Sequence, residues 1–278
     1  MKTRAITGFF FVIVMIGSVL LGPVVFTVFY LLLSALSLFE FYRLIKQNDI
    51  QPAVILGMIS GILLYAIFTI LAQNNSDPPA NYLLLVLVPC VAAIFVQELF
   101  SHSPSPFTNI AYTIFGMIFT VLPFCFFNAL AFLDGYGGFN FHLPLAFLVM
   151  LWSNDTGAYL CGVGFGRHKL FERHSPKKTW EGFIGGVMIC CIAAFVLSRF
   201  YKELALVHWL VMALIIGIVG TLGDLTESMF KRGLNVKDSG GLLPGHGGLL
   251  DRFDGLLLAA PVVYAYLYLV TNFVTSQH

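Results

Sequence analysis

This sequence predicts an all-α, polytopic membrane helix bundle of about nine spans, and three observations carry that reading. Of its 278 residues, 58% are hydrophobic and only 10% charged, with a mean hydropathy of +0.87; soluble domains are about a quarter charged. The apolar excess is gathered into long runs, and about 18 or more apolar residues suffice to cross a hydrocarbon core. The Lys and Arg residues fall almost wholly into alternate connections, as the preference of positive charge for the cytoplasmic side of short loops requires.

In chain order, the runs lie near 5–21, 24–42, 53–72, 82–100, 108–133, 143–162, 182–199, 205–226 and 253–273. The segment Met1 to Arg4 is basic and leads into apolar residues. The apolar pattern resumes at once after the first run, so that run reads as a span and not a cleaved leader. Gly22-Pro23 divides the first two runs; eight spans result instead if that pair only kinks one longer helix. With nine spans and the N-terminus inside, the inside segments hold Lys2, Arg4, Arg43, Lys46, Arg167, Lys169, Arg173, Lys177, Lys178, Lys231, Arg232, Lys237 and Arg252, which is 13 of the 15 Lys and Arg. Arg199 and Lys202 remain outside. The N-terminus is then expected in the cytoplasm and the C-terminus outside.

Spans one to five occupy residues 1–140 and spans six to nine residues 141–278, with no internal repeat and no separate soluble domain. Two longer polar connections, 162–181 and 227–252, belong to the second half and to the same side of the membrane. Long connections in a compact protein usually carry function. A net charge of +1 is too small for a broad basic surface, so no nucleic-acid partner is expected; the lipid bilayer is. Cys90, Cys125, Cys161, Cys190 and Cys191 all lie in apolar runs without metal-ligand spacing and read as small core residues.

Candidate chemistry gathers in the second half. In the eighth run Gly217, Gly220, Asp224, Glu227, Ser228 and Lys231 recur at three- and four-residue spacing and share one helical face. The glycines admit a neighbouring helix. A carboxylate at membrane depth is costly and marks a bundle interior or a wet cavity; a structural ion pair of Asp224 or Glu227 with a lysine is the plainer alternative. Residues 231–254 are Gly-rich, and Gly245, Gly247 and Gly248 flank and follow His246 just before the last run. Bare backbone opening a helix can point N–H groups at a phosphate, although an ordinary turn is the better explanation of such a loop taken alone. His246 reads as a binding residue.

Asp251 and Asp254 start the last run three residues apart. Favourable pairing with the helix dipole explains one of them. Two acids, an Arg and a Gly-rich turn together suggest a cation that bridges carboxylates to phosphate, and Mg²⁺ takes one or two carboxylates plus phosphate oxygens and water. In the other connection, Ser175-Pro176 precedes Lys177 and Lys178, Glu181 follows, and Gly182, Gly185 and Gly186 form a close-packing face. The two lysines suit phosphate or simply lipid headgroups. Asp155 lies inside the sixth run, in Trp152-Ser153-Asn154-Asp155-Thr156, and is a functional candidate by its depth. Acids, Lys/Arg and bare backbone are what phosphoryl-type transfer needs: positioning and charge neutralisation. No Ser-His-Asp or Cys-His motif and no Walker-type loop occurs.

The stretch from Ser228 to Asp254 closely resembles the signature of the phosphatidate cytidylyltransferases: Ser228, Lys231, Arg232, Lys237, Asp238, the turn Leu243-Pro244-Gly245-His246-Gly247-Gly248, then Asp251, Arg252 and Asp254. The stretches around Asp155, Lys177-Lys178 and Asp224 are similar to the same family, so the resemblance covers about residues 150–260. Gly255 departs from the Ser or Ala more usual there. The resemblance implies a nine-helix bundle, often a homodimer, in a bacterial inner membrane. It also implies a polar funnel facing the cytoplasm and transfer of CMP from CTP to phosphatidate with Mg²⁺. It gives the metal to Asp224 and Asp251, with Asp254 in support, and associates K⁺ with the same centre. Lys231, Arg232, Lys237 and Arg252 are then expected to offset substrate charge, and Lys177 and Lys178 to close the site. Ser228, Gly247 and Gly248 join them on the substrate side, and Asp155, Glu181, Glu227 and Asp238 are further candidates.

Two other readings compete. Asp251-Arg252-Phe253-Asp254-Gly255 begins like the motif of CDP-alcohol phosphotransferases, but that motif needs further downstream acids and none follows Asp254. An ion path through Asp155 and Asp224 would suit a transporter, which typically shows repeated halves and charges near the midplane.

Overall fold

A computed structural model describes residues 2–73, 78–133, 138–241 and 247–275. These residues form nine helical stretches in sequence: α1 (Lys2–Leu20), α2 (Pro23–Lys46), α3 (Val54–Gln73), α4 (Tyr82–Phe100), α5 (Pro106–Phe132), α6 (His142–Phe165), α7 (Trp180–Phe200), α8 (Leu206–Gly233) and α9 (Leu250–Thr275). Seven of them, α2 to α5 and α7 to α9, are long and apolar enough to cross a membrane. The polar run from Ser153 to Thr156 keeps α6 out of that group, and the apolar part of α1, Phe10–Leu20, is short.

The first two helices are separate. Helix α1 ends at Leu20, Gly22 has φ +100°, and Pro23 opens α2 at the position where its missing N–H costs nothing. A 3₁₀ helix, Pro78–Val86, precedes α4 and forms its first residues. Within α5 the turn Met117–Val121 is π-helical and directly precedes Leu122-Pro123. Pro123 has no N–H to donate to the preceding turn, and a widened turn absorbs that misfit.

By contacts the chain forms two compact units. One comprises residues 1–132 with 238–252 and the other residues 133–237 with 253–278. The first unit is centred on an aromatic cluster of Phe26, Tyr30, Phe124 and Phe127, all buried. Several buried hydroxyls and amides within it are paired: the Tyr42 hydroxyl donates to the Thr113 carbonyl at 2.7 Å, and Asn128 links Thr27 to Thr69. Unpaired polar groups in such an interior each cost several kcal/mol, roughly, so these bonds fix the packing of α2, α3 and α5.

The second unit is built on glycines. A Cβ at Gly182 would lie 2.8 Å from the Ala158 carbonyl, and one at Gly186 2.8 Å from the Asn154 carbonyl, so α7 approaches α6 backbone to backbone. Dispersion and close approach replace the absent hydrophobic drive between apolar helices. Between these helices the chain makes an antiparallel hairpin, β1 (Lys169–Phe171) with β2 (Ser175–Thr179). The sequence reads residues 162–181 as a polar connection, and the structure gives that connection this short hairpin. Thr179 ends the hairpin in an extended conformation, and its Oγ1 accepts from Gly182 N, capping α7.

The expected connection 227–252 is also shorter than apolar run length predicts. Residues 227–233 continue α8. Glu227, Met229, Lys231 and Arg232 are good helix formers, and Glu227 pairs with Lys231 one turn on, which extends the helix past its apolar part.

Candidate active site

Within the second unit, α6, the hairpin, α7, α8 and the early part of α9 enclose a cavity of about 380 Å³. That falls within the roughly 300–1,000 Å³ of small-molecule sites. Five charged residues line it: Asp155 from α6, Lys177 and Lys178 from β2, Asp224 from α8 and Asp254 from α9. Each acid stands on a different helix, so only the packed unit brings the three together. The Lys178 Nζ is ion-paired with Asp224 Oδ2. Asp224 Oδ1 also has the Ser228 hydroxyl at 3.4 Å, one turn further along α8. Asp254 Oδ1 accepts the Gly255 N–H at 2.7 Å.

Small residues make this convergence possible. A Cβ on Gly223 would lie 2.5 Å from the Asp254 carbonyl, and Gly220 faces Gly255. Helices α8 and α9 therefore touch through bare backbone just where they carry Asp224 and Asp254. A Cβ on Gly255, the departure from the family pattern, would lie 2.8 Å from Leu151 Cδ1, so even a small side chain there requires the end of Leu151 to shift. Tyr159, Val163, Leu170 and Phe183 add apolar wall to the same cavity.

The remaining sequence candidates are distributed as follows. Glu227 is fully buried (0% exposed), with Lys231 Nζ 2.6 Å from its Oε2. Glu181 binds the hairpin's approach: its carboxylate accepts from the Arg167 and His168 N–H groups and meets the His168 ring at 2.6 Å. Arg232, Lys237, Asp238 and Arg252 are exposed, and an Arg232 N–H donates to the Val236 carbonyl. His246 lies outside the described residues, together with 242–245.

Asp251 belongs to the first unit with the segment 238–252. Its Oδ2 accepts from Ser239 N at 3.1 Å and from Gly248 N at 2.9 Å, so it ties the two ends of the Gly-rich loop to the first turn of α9. Gly247 has φ +83°, a conformation that suits glycine.

One residue escapes a reading of the sequence. Glu40, in α2, is 2% exposed, and its Oε2 accepts the N–H groups of Leu249 at 2.6 Å and Leu250 at 3.0 Å. A signal does exist: an acid within the apolar run Leu38-Phe39-Glu40-Phe41-Tyr42, where a charge demands a reason. The hairpin leaves no comparable trace, since Ser175-Pro176 reads as a loop.

Among the described residues, no group of three His, Cys, Asp or Glu is placed to hold a metal by itself. A cation bound by one or two carboxylates, with phosphate and water completing the shell, needs no such group. The cavity's donors suit a hard cation of that kind: its lining has carboxylates and no thiol or imidazole, and its three acids outnumber its two lysines.

Fold and cavity thus define a class, a multi-pass membrane protein with a charged, part-apolar pocket inside a helical unit. Comparison with known proteins narrows it. The model of the cytidylyltransferase family matches residues 2–270. Phosphatidate cytidylyltransferase of Bacillus subtilis (strain 168) is 33% identical over 274 residues, which is 97% of this chain and 98% of that protein. Enzymes of the same name from Staphylococcus haemolyticus and Staphylococcus aureus are 34% and 33% identical, over 95% of this chain and 97% of theirs. The chain belongs to the cytidylyltransferase family.

Proposed function

We propose that this protein transfers CMP from CTP to phosphatidate, yielding CDP-diacylglycerol and pyrophosphate. The observation that carries the reading is the cavity in which Asp155, Asp224 and Asp254 face Lys177 and Lys178 beside apolar walls. A lipid phosphate needs both surfaces: cationic groups for its head, and apolar residues for the glyceride that follows. The family membership and the names of the relatives supply the nucleotide and the lipid.

In the reaction, an oxygen of the phosphatidate monoester attacks the α-phosphorus of CTP in line. The new P–O bond forms as the bond from the α-phosphorus to the bridging oxygen breaks, and pyrophosphate leaves with the electron pair. The nucleophile is already anionic near neutral pH, so no general base is required. Lys177 and Lys178 hold and offset phosphate charge; Lys178 is kept in place by Asp224. Phosphoryl-type transfer is catalysed chiefly by charge stabilisation and positioning of this kind. Asp224 and Asp254, which line the cavity, are the proposed oxygen donors to Mg²⁺ there; Asp251, outside that lining, is proposed as a cation ligand from the sequence signature alone. When bound, Mg²⁺ neutralises the charge that develops on the phosphate oxygens. The protein is proposed to lie in the inner membrane with its N-terminus and site on the cytoplasmic side.

The test is product analysis. Purified protein given CTP labelled at the α-phosphate, Mg²⁺ and phosphatidate is expected to form labelled CDP-diacylglycerol and equimolar pyrophosphate. Label that stays in CTP, alongside an active relative as control, overturns the proposal.

A further inference from the structure

We infer that Glu40 is a positioning residue for Asp251, holding the first turn of the last helix from a helix 209 residues away in sequence. The inference rests on the proposed cation-binding role of Asp251.

A helix N-terminus lacks partners for its first N–H groups, which are normally capped by a local Ser, Thr, Asp or Asn. Helix α9 begins at Leu250 and is preceded by Leu249, whose side chain cannot cap. The nearest acid, Asp251, is turned the other way, onto Ser239 N and Gly248 N. Glu40 supplies the missing acceptor to both Leu249 N and Leu250 N. A carboxylate there is favoured by the helix dipole and by charge-assisted bonds.

The described ends of the loop are shaped around this carboxylate. Cβ atoms added at Gly240 or Gly248 would run into Glu40 Oε1, and the Ser239 hydroxyl is buried against the same point of Gly248. Residues 239, 240, 248, 249 and 250 are therefore moulded on one side chain of α2. Asp251 follows directly in the chain, and its own two backbone partners, Ser239 and Gly248, are among the residues so moulded. A buried carboxylate is costly to remove from water, and this one is directed at two backbone amides next to Asp251. Its effect is to fix where Asp251 points. A misplacement of about 1 Å can cost roughly 100-fold in rate.

Three variants test this. In Glu40→Ala, kcat per folded molecule is expected to fall about 100-fold. KM for CTP should stay within about threefold, because this side chain makes no substrate contact in the proposal. Hydrogen exchange at Leu249 and Leu250 should quicken about tenfold or more as their acceptor is lost. Glu40→Gln keeps one acceptor oxygen and should retain more kcat than Ala; Glu40→Asp, one methylene short, should behave like Ala. A kcat per folded molecule within twofold of wild type, or unchanged exchange at those amides, overturns the inference. So does a lower yield of folded protein with normal kcat, which marks a purely structural residue. If Ala and Asp fail to fold, Gln decides by the same two readouts. Asp251→Asn separates the premises: activity lost there but normal in the Glu40 variants sinks Glu40 alone, whereas normal activity in Asp251→Asn sinks the role of Asp251.

Discussion

Lys178 and Asp224 form an ion pair in the cavity, and both are proposed to act in the transfer. Side by side in the cavity wall, with side chains 26% and 34% exposed, they hold a carboxylate and an ammonium together. Breaking such a pair leaves an uncompensated charge. Lys178→Ala is therefore expected to lower kcat about 100-fold, the order of loss seen when a charge-stabilising donor is removed. Lys178→Arg should recover part of it. Steady-state assay of folded protein checks this; equal kcat in Ala and wild type would leave the lysine a purely topological charge. The contrast with Glu227 and Lys231 is informative. That pair is internal to α8, one turn apart, with the acid fully buried. The spacing alone suggests both possibilities for Lys231, catalysis and pairing, and does not separate them.

Helix packing decides whether the acids meet at all. Close approach of α6 to α7, and of α8 to α9, runs through Gly182, Gly186, Gly220, Gly223 and Gly255. Gly186→Val would place a branched side chain where a single Cβ already comes within 2.8 Å of the Asn154 carbonyl. Overpacking of this kind costs about 1–3 kcal/mol. The thermal midpoint in detergent should drop by several degrees and activity should fall with it, as the neighbouring Asp155 shifts. An unchanged midpoint would mean that α6 and α7 have slack that this geometry does not show. The helices themselves are legible in the sequence, because apolar run length and the Gly22-Pro23 break report directly on spans and their ends. The glycine faces of α7 and α8 are legible too, from spacing. The hairpin at 169–179 is not: its strands are three and five residues long, too short for an alternating pattern to stand out. The extra turns of α8 beyond residue 226 are hidden because apolar run length stops where the charged but helix-favouring residues begin.

Taken as a whole, the chain places its polar candidates unevenly, and the sequence alone already shows this. Residues 150–260 carry the family signature, and the cavity is lined from within that range. What the sequence does not show is that a residue of the N-terminal half takes part. Glu40 meets the loop across 209 residues of chain, and no local pattern encodes a pairing of that length. The proposed site also fixes a direction. If Lys177, Lys178 and the Gly-rich loop lie on the cytoplasmic side, CTP, which does not cross a bilayer, must arrive from that side. The most direct measurement is CMP transfer from labelled CTP in sealed vesicles containing phosphatidate and Mg²⁺, prepared inside-out or right-side-out. Labelled CDP-diacylglycerol is expected in inside-out vesicles, and none in sealed right-side-out vesicles until they are permeabilised. Product in intact right-side-out vesicles alone, or in neither preparation after permeabilisation, would contradict a CMP transfer site on the cytoplasmic face.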